Sequence, residues 1–186
     1  MTLKPEFDLG FWNGWWFTLL YWLVTAGFLL AFSKEQTKRL TNAPKFTPAV
    51  NALVQVEKNL YVAAMVYAAW VSIKLGTLWF YIGMPLFALG LAGYAWSFAN
   101  YHSTPPGVPI VKGIYRYSRH PMYVTSFIAW MGAGLATASW IILAANLVLF
   151  ALMHHTNQIE ERECLRQYGD SYRSYMERVP RYFLFF

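Results

Sequence analysis

Apolar residues in this chain come in long uncharged runs separated by short polar breaks, with no alternation that would place one face in water. The first run extends from about Phe11 to Phe32, which at ~1.5 Å per residue is long enough for a helix to cross a hydrocarbon layer of ~30 Å. A polar loop, SKEQTKRLTNAPKFTP, follows, with Pro44 and Pro48 punctuating entry into a second run at roughly 53–73. Glu57 and Lys58 fall near its loop side, where long side chains can snorkel. The break Lys74-Leu75-Gly76-Thr77 leads into a third run, about 78–98, with a kink expected at Pro85.

Residues 99–121 have no helical period and contain Pro105, Pro106, Pro109, Gly107 and Gly113, which predicts an extended, irregular loop. Irregular backbone at membrane depth is tolerated only against protein, ligand or water, so something is expected to pack on it. Residues 122–153 are uncharged and would reach ~48 Å as one straight helix, too long for one untilted span and short for two full ones. The small residues Gly132-Ala133-Gly134, followed by Thr137 and Ser139, predict a tight hairpin with arms 122–135 and 139–155. In the tail, Leu165, Tyr168, Tyr172, Tyr175, Met176 and Val179 recur at spacings of three and four. They predict an amphipathic helix that lies on the membrane surface or caps the preceding loop, with a possible break at Gly169.

The expected fold is therefore an all-α integral membrane protein, one membrane domain over 1–186 with five transmembrane helices. It comprises three N-terminal spans (1–98), a covering loop (99–121), a helical hairpin (122–155) and a cytoplasmic amphipathic tail (156–186). Composition agrees: 57% of the 186 residues are hydrophobic, 19% are aromatic, 13% are charged and mean hydropathy is +0.30. These values exclude a disordered chain and disfavour an ordinary water-soluble domain. The start, MTLKPEFDLG, lacks a basic n-region and a small-residue cleavage pattern, so the first run is expected to remain as a span.

Charge placement sets the expected orientation. Lys4 against Glu6 and Asp8 leaves residues 1–10 at −1. Lys34, Lys38, Arg39 and Lys45 against Glu35 leave the loop 33–49 at +3. Lys112, Arg116 and Arg119 leave residues 99–121 at +3. Basic residues in short loops beside apolar runs predict those loops on the cytoplasmic side and the N-terminus outside, and five spans then leave the C-terminus in the cytoplasm. The net charge of +6 does not point to nucleic acid when so distributed. A single cysteine, Cys164, supports neither an intramolecular disulfide nor a multi-cysteine metal site, and no metal is expected.

Chemistry concentrates at Arg119-His120-Pro121-Met122-Tyr123. Pro121 suits a first helical turn, which puts Arg119 and His120 at a helix N-terminus where amides, dipole and guanidinium favour an anion. The bland alternative is an interfacial arginine anchor beside a satisfied histidine. Glu160 and Glu161 follow the other hairpin arm, and a hairpin returns that arm to the interface where the first began. A basic helix start meeting an acidic pair would suit a zwitterion, and paired carboxylates allow one to hold a cation while the other accepts a proton. Glu161 is the first candidate for that proton. His154 and His155 point to different helix faces, which argues against a shared metal.

The order VKGIYRYSRHPMY, uncharged hairpin, EERECLRQYGDSYRSYMERVP resembles the integral-membrane isoprenylcysteine carboxyl methyltransferases and the related phospholipid methyltransferases over about 80 C-terminal residues. The resemblance implies five core helices and S-adenosylmethionine held at the cytoplasmic side under the irregular loop. By position it implies cofactor contacts from Asn100, Gly107, Val108, Pro109, Ile110, Tyr115, His120, Pro121, Met122, Tyr123 and Glu160; Arg119 and Glu161, from the reading of the residues above, are the candidate catalytic residues. Asn100 stands where carboxyl methyltransferases tend to have glutamine. Thr156 stands where the family has an arginine that approaches a substrate carboxylate, which weakens the case for a prenylcysteine acceptor. Membrane lipids and a lipophilic acceptor are the expected partners: a prenylcysteine-like carboxylate, a phospholipid amine or a hydrophobic thiol. The ending YGDSYRSYMERVPRYFLFF also resembles membrane sterol reductases, which use NADPH, and a non-catalytic lipid-binding protein is a third reading.

Overall fold

In the computed structural model, residues 10–41 and 47–183 are described. Among them seven α-helices and one 3-10 turn account for the regular structure: α1 Trp15–Ala31, α2 Lys34–Thr41, α3 Pro48–Trp70, α4 Leu78–His102, the turn Gly113–Arg116, α5 Pro121–Ala136, α6 Trp140–Tyr168 and α7 Asp170–Arg178. The fold is all-helical, as expected. Two of these helices, α4 and α6, are long and apolar enough to cross a membrane, and α1 is a shorter apolar helix. Large apolar side chains such as Trp22, Leu30, Val62, Leu78, Leu89 and Leu147 face outward. That is the surface expected of an integral-membrane protein, whose solvent is itself apolar. Lys4, Glu6, Asp8, Pro44 and Lys45, on which part of the charge and turn reading rested, lie outside the described residues.

Helix starts follow local chemistry. Thr47, Thr77 and Ser139 accept hydrogen bonds from Val50, Phe80 and Ile142 amides at 3.4, 3.3 and 3.4 Å, and Pro48 and Pro121 occupy first-turn positions. The polar loop after α1 is itself helical in part: Ser33 and Gln36 cap each other's backbone and side chain at 2.9 and 3.2 Å, which starts α2. Gln36 then reaches the last turn of α4, donating to the His102 carbonyl at 2.5 Å.

Helices α4 and α5 pack with backbones almost touching. A Cβ on Gly83 would sit 2.3 Å from the Ala136 amide nitrogen, one on Gly90 2.3 Å from that of Ala129, and one on Gly132 2.3 Å from that of Phe87. In an apolar solvent, helices associate through such close van der Waals contact of small residues. The main core gathers Phe17, Tyr21, Met65, Phe87, Tyr94, Phe98 and Trp130 from α1, α3, α4 and α5.

The expected hairpin forms, with its bend at Thr137-Ala138-Ser139, but Gly132 belongs to α5 and serves the contact with α4. Its second arm does not end near residue 155. Helix α6 continues unbroken to Tyr168, because polar but helix-favouring residues carry it beyond the apolar stretch. Gly169, at φ +57°, then turns the chain into α7. Tyr172, Tyr175 and Val179 bury against Cys164, Leu165, Tyr168 and Met176, so the tail stripe folds onto α6 as its own small core.

Candidate functional site

The start of α5 and the far part of α6 meet through a cluster of charged side chains. Arg119 and His120 are 8% and 7% exposed and Glu161 2%, so the charges are largely removed from water. Such burial is costly unless each charge is compensated. Three partners converge on Glu161. His120 Nε2 lies 3.1 Å from Oε1, Arg119 Nε 3.0 Å from the same oxygen, and Arg181 holds the carboxylate bidentately, Nε to Oε1 at 3.0 Å and Nη2 to Oε2 at 2.7 Å. The Arg119 contact is Coulombic, since its Nε–H is not aligned on the oxygen; its Nη1 donates to the Met176 carbonyl at 3.1 Å. Hydrogen bonding to Glu161 raises Arg181 above its ordinary value.

The segment after α7 closes this cluster. The amides of Arg119 and His120 donate to the carbonyls of Pro180 and Arg181 at 3.0 and 3.4 Å, and Ser118 Oγ donates to the Arg181 carbonyl at 2.7 Å. The amides just before α5, expected to be open to an anion, are thus occupied by the chain's own tail. The N-cap residue His120 makes no side-chain cap bond, so the first-turn amides of Met122 and Tyr123 keep the donors that an α-helix cannot satisfy internally.

Glu160 faces a different environment. Its side chain is 34% exposed, its Oε1 accepts from Tyr123 Oη at 2.8 Å, and His120 Nδ1 lies 3.9 Å from its Oε2. His120 therefore stands between the two glutamates, one fully compensated and one able to receive a further cation. Helical geometry explains the split: adjacent residues point about 100° apart, so one carboxylate enters the α5–α7 junction and the other faces α5 alone.

Other sequence-derived positions fall around this centre. Asn100 Oδ1 accepts from the Ile114 amide at 2.9 Å and fills the space beside Gly113, where a Cβ would meet it at 1.8 Å and where φ is +58°. Asn100 thus fixes the backbone that presents Tyr115. The carbonyl of Tyr115 accepts from Tyr175 Oη at 2.7 Å, and the same hydroxyl reaches the Ser118 carbonyl at 3.3 Å, so α7 packs on the irregular segment. Gly107, at φ +85°, lies in that segment with Val108, Pro109 and Ile110; Val108 is exposed, and Ile110 packs on the main core with Met122.

Three participants carry no site signal in the sequence. Arg181 was one of five tail arginines with no pattern to separate it. Tyr182 accepts from Asn157 Nδ2 at 3.0 Å, lies 3.1 Å from His154 Nδ1, and its ring centroid lies 6.2 Å from that of His120 in a tilted arrangement. Glu57, expected to snorkel outward, is instead 7% exposed and accepts from Thr156 Oγ1 at 2.7 Å, because α6 packs over that side of α3. Among the described residues no group of three His, Cys, Asp or Glu side chains could hold a metal ion.

Apolar outer faces around an all-helical bundle, with a buried charged cluster where a hairpin closes, define a membrane protein with a polar site at one end. The sequence pattern of the phospholipid methyltransferase family matches residues 78–171, and the chain belongs to that family. It is 35% identical over 72 residues to the protein-S-isoprenylcysteine O-methyltransferase of Schizosaccharomyces pombe, covering 38% of this chain and 30% of that one. It is 32% identical over 66 residues to methanethiol S-methyltransferase 1 of Bradyrhizobium diazoefficiens, covering 36% and 22%. It is also 34% identical over 116 residues to the nickel-cobalt-cadmium resistance protein NccN of Alcaligenes xylosoxydans xylosoxydans, covering 61% and 52%. The chain spans about half the length, or less, of these relatives. The matched region ends at residue 171 and so includes Glu160 and Glu161 but neither Glu57 nor Arg181.

Proposed function

We propose that this protein transfers a methyl group from S-adenosylmethionine to a lipophilic acceptor that enters from the bilayer, at a site on the cytoplasmic face of five membrane spans. The observation that carries the reading is the unequal pair of carboxylates about His120. Glu160, half-buried and, among the described residues, hydrogen-bonded by Tyr123 with His120 Nδ1 3.9 Å away, has the charge and access to hold the donor's ammonium group. The first-turn amides of Met122 and Tyr123, after Pro121, offer a place for its carboxylate at the positive end of α5. Asn100, Gly107, Val108, Pro109, Ile110 and Tyr115 form the covering wall on this reading.

The bound donor supplies an activated methyl on a sulfonium, so the protein's work is to align the acceptor and exclude water. Glu161 is a weak proton acceptor when it already holds two guanidinium groups and the His120 ring. Its role here, with Arg119 and Arg181, is to fix His120 and the start of α5. The fold of the whole site then depends on this cluster, and donor binding on Glu160.

Calorimetry with S-adenosylhomocysteine tests the reading. Wild-type protein in detergent is expected to bind it, and Glu160→Gln to lose at least tenfold in affinity with the melting temperature retained. NADPH is expected to leave the melting temperature unchanged. Stabilisation by NADPH and not by S-adenosylhomocysteine would replace methyl transfer with reduction, and indifference to both would leave a lipid-binding protein.

A further inference from the structure

Glu57 stands apart from the cluster already described, on α3 and outside the region shared with the family. It is 7% exposed, and among the described residues no Lys or Arg forms an ion pair with it. Among the described residues its carboxylate accepts one hydrogen bond, from Thr156 Oγ1 at 2.7 Å, and Thr156 is itself 7% exposed. The ionisable neighbours that interact with it are His155 and Glu160 on α6 and Tyr123 on α5. Thr156 precedes Glu160 by one helical turn, so Glu57 borders the edge of the donor site from the α3 side.

A second observation extends this polar lining. Tyr61, one turn beyond Glu57 on α3, turns its hydroxyl toward the Tyr21 and Trp130 side chains, and its ring centroid lies 6.3 Å from that of Trp130. Trp130 is 4% exposed. A buried carboxylate with one neutral hydrogen-bond donor is expensive in an apolar bundle. A head group that donates a proton to Glu57 would resolve this. A carboxylate head fails, since Glu57 repels it and Thr156 supplies no positive charge.

Resting on the methyl-transfer reading, we propose that Glu57 is the proton acceptor and specificity-determining residue for the methyl acceptor, selecting a protic nucleophile, a thiol or amine on an apolar tail, against carboxylates. In the step, Glu57 takes the proton of the X–H group while the X–CH3 bond forms. The methyl–sulfur bond of the sulfonium donor breaks, and its electron pair stays on sulfur, which becomes a neutral thioether. Charge balances, since the proton on Glu57 replaces the positive charge lost at sulfur.

The test uses full-length protein in nanodiscs with labelled S-adenosylmethionine and three acceptors: hexanethiol, phosphatidylethanolamine and hexanoate. Wild type is expected to methylate the thiol or the lipid amine, which separates the two sources, and to leave hexanoate unmodified. Glu57→Gln is expected to lose about a hundredfold at pH 7 with affinity for S-adenosylhomocysteine unchanged. With the thiol, that deficit is expected to shrink toward pH 9, as a group of ordinary pKa ~8.5 ionises unaided. A purely structural defect would be independent of pH. As a readout free of turnover, hexanethiol and not hexanoate is expected to raise the melting temperature of wild type saturated with S-adenosylhomocysteine, and Glu57→Gln to lose that discrimination. Methylation of hexanoate, a pH-independent deficit, or binding of S-adenosylhomocysteine without methylation of either protic acceptor overturns the assignment of Glu57. Failure to bind S-adenosylhomocysteine overturns methyl transfer itself, and this assignment with it. Should Glu57→Gln not fold, the wild-type comparison of hexanethiol with hexanoate decides.

Discussion

His120 Nε2 lies 3.1 Å from Glu161 Oε1 across 41 positions of sequence, and this contact fastens the first turn of α5 to the outer part of α6. Because Arg119 and Arg181 share the same carboxylate, its removal would leave the buried Arg119 and the partly buried Arg181 without their counter-ion. Breaking a buried ion cluster by removing one partner costs about 3–5 kcal/mol. Glu161→Gln is expected to lower the melting temperature strongly, measured by thermal unfolding in detergent. Arg181→Ala is expected to cost less, since Arg119 and His120 remain on Glu161. Equal melting temperatures for Glu161→Gln and wild type would remove the cluster's structural role.

Tyr123 bears on binding rather than on the fold. Its hydroxyl donates to Glu160 Oε1 at 2.8 Å and thereby sets which oxygen faces the proposed donor site. A hydrogen bond to a charged group contributes about 1.5–3 kcal/mol, of which orientation for a ligand is a part. Tyr123→Phe is expected to weaken S-adenosylhomocysteine binding by about tenfold in calorimetry, with Glu160→Gln weaker still. An unchanged affinity would detach Tyr123 from the site.

The α4–α5 contact predicts a sharp difference between glycines. At Gly90 a Cβ would stand 2.3 Å from the Ala129 amide nitrogen and 2.8 Å from the Thr125 carbonyl oxygen, both backbone atoms that cannot move aside. Gly90→Ala is expected to force the helices apart, at a cost of about 1–3 kcal/mol typical of overpacking. Nothing lies within 4 Å of a Cβ on Gly27, so Gly27→Ala is expected to be neutral or stabilising by up to about 1 kcal/mol. Paired melting curves decide, and similar shifts for both would contradict the close approach.

Much of this was legible in the sequence, for identifiable reasons. Apolar run lengths gave the helices, and the RHP start with its acidic counterpart after the hairpin brought His120 and Glu160 into one site, since a hairpin must return its second arm to where the first began. The stripe from Leu165 to Val179 marked an amphipathic tail, but not that its two halves pack on each other across Gly169. What stayed hidden depended on which neighbour covers a residue. Glu57 reads as an interfacial charge until α6 is seen to cover it, and Arg181 reads like any tail arginine until the chain after α7 turns back across the start of α5. Helix α2 was missed because the mutual capping of Ser33 and Gln36 is short-range and was masked by a polar, proline-flanked composition.

Tyr175 yields a pH dependence with a definite sign. It is 3% exposed on α7, and burial pushes its phenol well above the ordinary value of 10.0, so it remains a neutral donor to the Tyr115 and Ser118 carbonyls. The raised folded-state value means that folded and unfolded chains bind this proton equally below pH ~10, and that only the unfolded chain releases it above. Stability is therefore full below that pH and falls as pH rises beyond it. Tyr172, buried beside it and likewise raised, adds to the fall. Tyr175→Phe is expected to cost about 1–3 kcal/mol at pH 8 by leaving two carbonyls without their donor. It is also expected to show a shallower decline of melting temperature between pH 9.5 and 11 than wild type. If the two proteins decline in parallel over that interval, the Tyr175 hydroxyl does not tie α7 to the irregular segment.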